Sequence, residues 1–304
     1  MIVTRFTMMR ALVVLILLLV APLGGRADSS LFWALSRDGE PTGYLLGTIH
    51  SEDPRVLDFS EPFIGQLTEN RFFAMEMVPD LPTLARLTEY MHYQDGTRLA
   101  DVIGPERFAR LSELLAAYGV DPTWVSRMKV WAAMMTLSLP PPRSGLFMDL
   151  SLSLRAAGSG MKVVGLETLE QQLAFLEDMP LEQQFELLDH ALAEHDKVEA
   201  LHREMVDSYL TGDLRAVERL SMSQMDVLSS SARAYFISEG IDARNRRMLE
   251  SVLPYFEDGT VFVAVGALHL PGEQGLVRLL REAGFELSPL PLPFSATGQR
   301  GNAQ

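Results

Sequence analysis

Two segments of this chain share one pattern, Gly47-Thr48-Ile49-His50 and Gly266-Ala267-Leu268-His269. In each, an apolar run of strand character leads to a glycine and then, three positions on, to a histidine. Each imidazole is therefore expected just beyond the carboxyl end of a buried strand. In open parallel sheets that edge is where ligands and catalytic groups collect. The glycines Gly47 and Gly266 have a physical use there, because without a Cβ another backbone or a ligand can come close. A lone histidine at a strand end reads as a capped structural residue. Two in the same pattern, from opposite ends of the chain, raise the functional reading.

Carboxylates inside apolar runs are the second signal. Glu76 lies in Phe-Phe-Ala-Met-Glu-Met-Val at 72–78, and Glu167 ends Met-Lys-Val-Val-Gly-Leu-Glu at 161–167. Burying a carboxylate without a partner costs several kcal/mol, so each calls for a cation, a metal or strong donors beside it. Glu76 reads either as functional or as an arginine-paired edge residue, and Glu167 either as functional or as a charge at a helix N-terminus. Asp149 is a weaker candidate. Two imidazoles and one or two carboxylates, with no sulfur, suit Zn²⁺, Mn²⁺, Co²⁺ or Fe²⁺. Such a site supports metal-assisted hydrolysis, and a carboxylate that is not a ligand can act as general base. The His-Glu-x-x-His and Gly-x-Ser-x-Gly signatures of other hydrolases are absent from the sequence.

Arg244, Arg246 and Arg247 crowd the segment Ile-Asp-Ala-Arg-Asn-Arg-Arg at 241–247. An anion clamp or oxyanion stabiliser is one reading. A helix face paired with local acids is the other, and it is preferred for Arg246 and Arg247. His190, His195 and His202 fall in a charged amphipathic stretch and read as a solvated face. His92, in a tyrosine-rich turn, receives no role.

The elements that must position these residues alternate. Strand patterns at 31–36 and 43–49, joined by a turn at 37–41, predict a hairpin, and further strands are expected at 71–78, 161–166, 260–267 and 285–290. Helical patterns occupy 105–119, 121–139, 181–210 and 271–283. Charge-free strands followed directly by helices predict an α/β fold, with a mixed, largely parallel central sheet covered by helices on both faces. The regions at about 81–158 and 177–257 read as helical insertions.

Composition narrows the function. None of the 304 residues is cysteine, which excludes disulfides, thiolate metal sites and cysteine nucleophiles. A formal charge of −14 argues against nucleic acid as a partner. Arg5 and Arg10, the apolar run at 11–23 and Gly25-Arg26-Ala27 have the order of a secretory signal peptide over residues 1–27. The run is shorter than the roughly 20 residues of a membrane span. A single domain over 28–304, exported to the periplasm or secreted, without stable membrane insertion after cleavage, is expected.

Tyr-Leu-Leu-Gly-Thr-Ile-His-Ser at 44–51, Met-Lys-Val-Val-Gly-Leu-Glu-Thr-Leu-Glu-Gln-Gln at 161–172 and the long block at 243–287 carry a resemblance. Over about residues 30–292 the chain resembles the TraB/GumN family, related to the TIKI metalloproteases. The family's two Gly-x-x-His motifs fall on Gly47/His50 and Gly266/His269, its acidic strand residue on Glu76, and its Arg-Asn element on Arg244 and Asn245. The resemblance implies an erythromycin-esterase-like or ChaN-like core and an exported, divalent-metal-dependent peptidase or related hydrolase acting on a peptide or protein. The metal is expected to be Mn, Co or Zn. His50 and His269 would be ligands, Glu76 a ligand or base and Glu167 a further ligand. Arg244 and Asn245 would orient the substrate or stabilise the oxyanion. The rival reading is a non-catalytic periplasmic protein that sequesters a peptide or haem.

Overall fold

The computed structural model describes residues 29–294, so the expected signal segment lies outside the described residues. The chain opens with β1 (Phe32–Arg37) and β2 (Glu40–Thr48), paired antiparallel. The expected five-residue turn contracts to Asp38-Gly39. Both residues have positive φ, 55° and 82°, the backbone that an Asp-Gly hairpin turn requires. β3 (Phe72–Met75), β4 (Lys162–Gly165), β5 (Val261–Gly266) and β6 (Glu286–Leu290) complete one six-stranded sheet of order β4-β3-β5-β2-β1-β6. β4, β3, β5 and β2 pair in parallel, while β1 is antiparallel to both β2 and β6.

The predicted α/β class, with a mixed and mostly parallel sheet, is therefore what the chain adopts. Successive residues of a strand face opposite sides, yet Val261 to Val265 are all buried, so the centre of the sheet is covered on both faces. Phe32, Phe63, Phe73 and Phe262 stack and edge against one another in this core. A second apolar cluster gathers Leu99, Leu111, Trp131, Leu137 and Leu188 away from the sheet.

Five helices bear on the site: α1 (Met148–Gly158), α2 (Leu169–Glu177), α3 (Val198–Leu210), α4 (Ala243–Asp258) and α5 (Leu276–Glu282). α2 starts directly after β4 with a reciprocal cap between Thr168 and Gln171. Three boundaries differ from the sequence pattern. The run 121–139 breaks into Pro122–Val125 and Val130–Leu137, because Met128 and Lys129 pair with His92 and Met91 instead of continuing the helix. The run 181–210 is interrupted by a 3₁₀ turn at His195–Lys197. The last helix begins at Leu276 rather than Pro271, because 271–275 folds back so tightly that a Cβ on Gly275 would lie 2.1 Å from the Pro271 carbonyl oxygen.

Candidate active site

β5 ends at Gly266, and a single 3₁₀ turn, Ala267–His269, carries the second motif off the sheet edge and buries its imidazole. The ring's Nδ1 lies 2.7 Å from Asn245 Oδ1, in the first turn of α4. Asn245 is wholly buried, and its amide nitrogen donates to the Gln274 carbonyl at 2.8 Å, which turns its oxygen towards His269. An oxygen there can only accept, so Nδ1 carries the hydrogen and Nε2 keeps its lone pair. Burial, and after it the Arg244 charge, lower the His269 pKa to about 4 against the pull of Glu76, and the ring is neutral at ordinary pH.

Nε2 faces Glu76 Oε1 at 3.8 Å. Glu76 is not inside a strand as its sequence run suggested. β3 stops at Met75, and Glu76 is the first residue past its carboxyl end. Oε1 accepts from the Gly266 amide at 2.8 Å, while Oε2 accepts from Arg244 at 2.6 Å and Gln172 at 3.3 Å. Burial alone would raise this carboxyl, but His269, Arg244 and the Gly266 amide overrule it and hold its pKa at about 2.

Glu167, two residues past β4, has a fully buried side chain, and Arg244 reaches it with both Nε, at 2.9 Å, and Nη2, at 2.6 Å. Arg244 is thus the shared counter-ion of two carboxylates, with its side chain only 7% exposed. Glu167, expected as a metal ligand, is paired here with Arg244, and Arg244 and Asn245, expected to meet substrate, contact Glu76 and His269 respectively.

The first motif lies against the second. A Cβ on Gly47 would meet Ala267 Cα at 3.1 Å and a Leu270 methyl at 2.9 Å, the close approach its glycine was expected to serve. His50, two residues past β2, has a different set of partners from His269. It is half exposed, its ring stacks on Phe147 with centroids 3.8 Å apart, and Nδ1 is 3.7 Å from Asp149 Oδ2. Asp149 also accepts from Thr48. A cleft of about 430 Å³ opens on this side, lined by His50, Ser51, Pro141, Phe147, His202 and Arg203 among others.

Two residues of α3 anchor the motif: Tyr209, which no sequence pattern marks, and His202. The buried Tyr209 hydroxyl donates to the Gly47 carbonyl at 2.6 Å, and His202 Nε2 lies 3.1 Å from Ser51 Oγ. His202 was read as part of a solvated face because charged residues flank it, yet burial, reinforced by the nearby His50, lowers its pKa. The faint signal was its spacing to His195 on one side of a helix. Nothing in that spacing points to the other end of the fold.

The donor chemistry bears on the expected metal. His269 Nε2 and Glu76 Oε1 are both electron-pair donors at neutral pH, and no hydrogen links them. Their separation is one that two ligand bonds of about 2.1 Å can span. Nitrogen and oxygen donors suit Zn²⁺, Mn²⁺ or Co²⁺. The imidazole orientation set from its other nitrogen by Asn245 is the arrangement that metal-ligating histidines require. The pair fits one ion on one side. The expected shell of His50, His269, Glu76 and Glu167 is nevertheless not assembled, since among the described residues no group of three or more His, Asp or Glu is close enough to hold an ion. Glu167 Oε2 is engaged by Arg244, and His50 lies against Asp149 and Phe147.

The fold and edge together define an α/β protein with a histidine–carboxylate pair at the carboxyl end of its parallel strands. The chain belongs to the TraB/PrgY/gumN family, whose profile matches residues 31–289. Metalloprotease TIKI1 of Danio rerio is 25% identical over 316 residues, covering 86% of this chain and 63% of the relative. Metalloprotease TIKI1 of Homo sapiens is 24% identical over 323 residues, covering 86% of this chain and 62% of the relative. A protein of Escherichia coli (strain K12) without assigned function is 27% identical over 248 residues, covering 78% and 87%. The chain spans less than two thirds of the length of the metalloprotease relatives. No solved structure matches it.

Proposed function

We propose that this chain is a divalent-metal-dependent hydrolase acting on peptide bonds, with His269 and Glu76 as protein ligands at the sheet edge. The observation that carries the reading is the 3.8 Å approach of the buried His269 Nε2 to the partly buried Glu76 Oε1. The kinship with proteins named metalloproteases supports it. Glu76 serves better as ligand than as base, because a general base needs a pKa near working pH and this carboxyl is held at about 2. Asn245 orients the imidazole, Arg244 keeps Glu76 ionised, and the Gly266 amide fixes its inner oxygen. His50, on the adjacent strand end, is the third ligand of this reading, its half-exposed ring resting on Phe147 in this structure. A bound divalent ion would supply the polarisation of the scissile carbonyl and the activation of water. Residues 1–27 direct the protein out of the cytoplasm as a signal peptide.

Elemental analysis and metal titration of the purified protein test the ligand set. Near-stoichiometric Mn, Co or Zn is expected in the wild type and its loss in His269→Ala and His50→Ala, both still folded. A peptide-library digest with and without chelator then tests the reaction. Metal content unchanged in both variants, or digestion indifferent to chelator, would overturn the proposal.

A further inference from the structure

The three arginines of α4 have three different fates. Arg244 is buried and saturated by Glu76 and Glu167. Arg246 donates to the side chain of Gln274 at 3.0 Å, on the side away from the carboxylates. Arg247 is three residues beyond Arg244 and so shares its helix face. Its contact with Glu167 is loose, Nη2 lying 3.5 Å from Oε1, outside good hydrogen-bonding range. Neither Glu167 Oε1 nor Arg247 Nε has a hydrogen-bond partner among the described residues. The Arg247 side chain is 37% exposed, whereas that of Glu167 is not exposed at all.

A line of contacts therefore runs from His269 through Glu76, Arg244 and Glu167 to Arg247 at the surface. Every cation along it except Arg247 is fully engaged. Two carboxylates and two guanidinium groups balance at the edge while His269 is neutral, so the site does not share the strong negative charge of the chain. The planar fork of a guanidinium matches a carboxylate in two-point contact. We propose that Arg247 is the specificity residue of this site and receives a carboxylate of the peptide substrate. Arg247 is joined to the site through Glu167 and Arg244, and its partly exposed guanidinium is open to an approaching carboxylate. The inference rests on the peptide-hydrolase reading and names its substrate class: peptides with an acidic side chain or a free C-terminus close to the cleaved bond.

The test uses the full chain in chelator, so that binding is read without cleavage. Fluorescent peptides are compared by anisotropy in matched pairs, Asp or Glu against Asn or Gln in one arm and free against amidated C-terminus in the other. In at least one arm the carboxylate member should bind about 10- to 100-fold tighter, and the arm that discriminates identifies the source of the carboxylate. Arg247→Gln should abolish the difference while leaving the amide member unchanged, and Arg247→Lys should retain part of it. Equal binding within both pairs by the wild type overturns the inference whatever the variants do, as does an equal loss for both members in Arg247→Gln. Metal-dependent digestion without carboxylate preference would leave the hydrolase reading standing and remove only this inference. Carboxylate-selective binding without digestion would do the reverse.

Discussion

Asn245 Oδ1 and His269 Nδ1 meet at 2.7 Å in the interior, joining the first turn of α4 to the turn that follows β5. The bond fixes the tautomer, and with it which imidazole nitrogen is free. Asn245→Ala should leave the fold intact, since a small side chain is lost, but weaken metal binding or activity by about 10- to 100-fold, the usual cost of removing such an orienting partner. Isothermal titration with Mn²⁺ and Zn²⁺ reads the effect directly. Undiminished affinity would mean that the asparagine only packs.

Arg244 neutralises two carboxylates, the fully buried Glu167 and the largely buried Glu76. Arg244→Met should cost about 3–5 kcal/mol in urea denaturation, because it strands both charges. Adding Glu167→Gln should recover a substantial part of that loss, since the two residues form one coupled unit. Additive losses in the double variant would refute the shared counter-ion.

Acid should destabilise the metal-free protein in a defined window. The folded pKa of His269, about 4, lies below its ordinary 6.5, so the unfolded chain takes up this proton first and stability falls as pH drops from 6.5 towards 4. Glu76, held at about 2 rather than 4.5, contributes stability above 4.5 that is lost as pH falls through 2. Both act in the same direction. Urea midpoints measured from pH 7 to pH 3 should decline steadily, and His269→Gln should flatten the upper part of the curve.

Two glycines of β2 and β5 should respond differently to alanine. On Gly266 a Cβ would stand 3.2 Å from Glu76 Oε1, displacing the carboxylate from its amide with little cost to the fold. On Gly43, at φ +141°, it would stand 1.9 Å from the Val261 carbonyl oxygen, a clash of backbone with backbone. Gly266→Ala should therefore melt near the wild type but bind metal at least about tenfold more weakly, the range expected when a ligand's support is lost. Gly43→Ala should lose about 3 kcal/mol or more, as strained and overpacked positions do. Circular-dichroism melts with metal titration separate the two outcomes.

The sequence by itself determined the sheet and its edge. Charge-free runs at β3 and β5, the Asp38-Gly39 turn and the two Gly-x-x-His motifs are local patterns, and their physics acts over a few residues. Glu76 and Glu167 stood out because charges in apolar runs need partners, and Arg244 because three arginines crowd four positions. Which partners they take was decided only by tertiary structure. Arg244 and Glu167 are 77 positions apart, and no sequence pattern distinguishes a guanidinium that meets substrate from one that bridges two carboxylates. The same holds for His202 and Tyr209, which reach Ser51 and Gly47 from a helix whose charged pattern resembles any solvated surface. Strand order brings the two motifs back to back, while side-chain packing turns His50 towards Phe147 and His269 towards Glu76. Chain direction at a strand end is a local property. The orientation of an imidazole depends on every surface that closes around it.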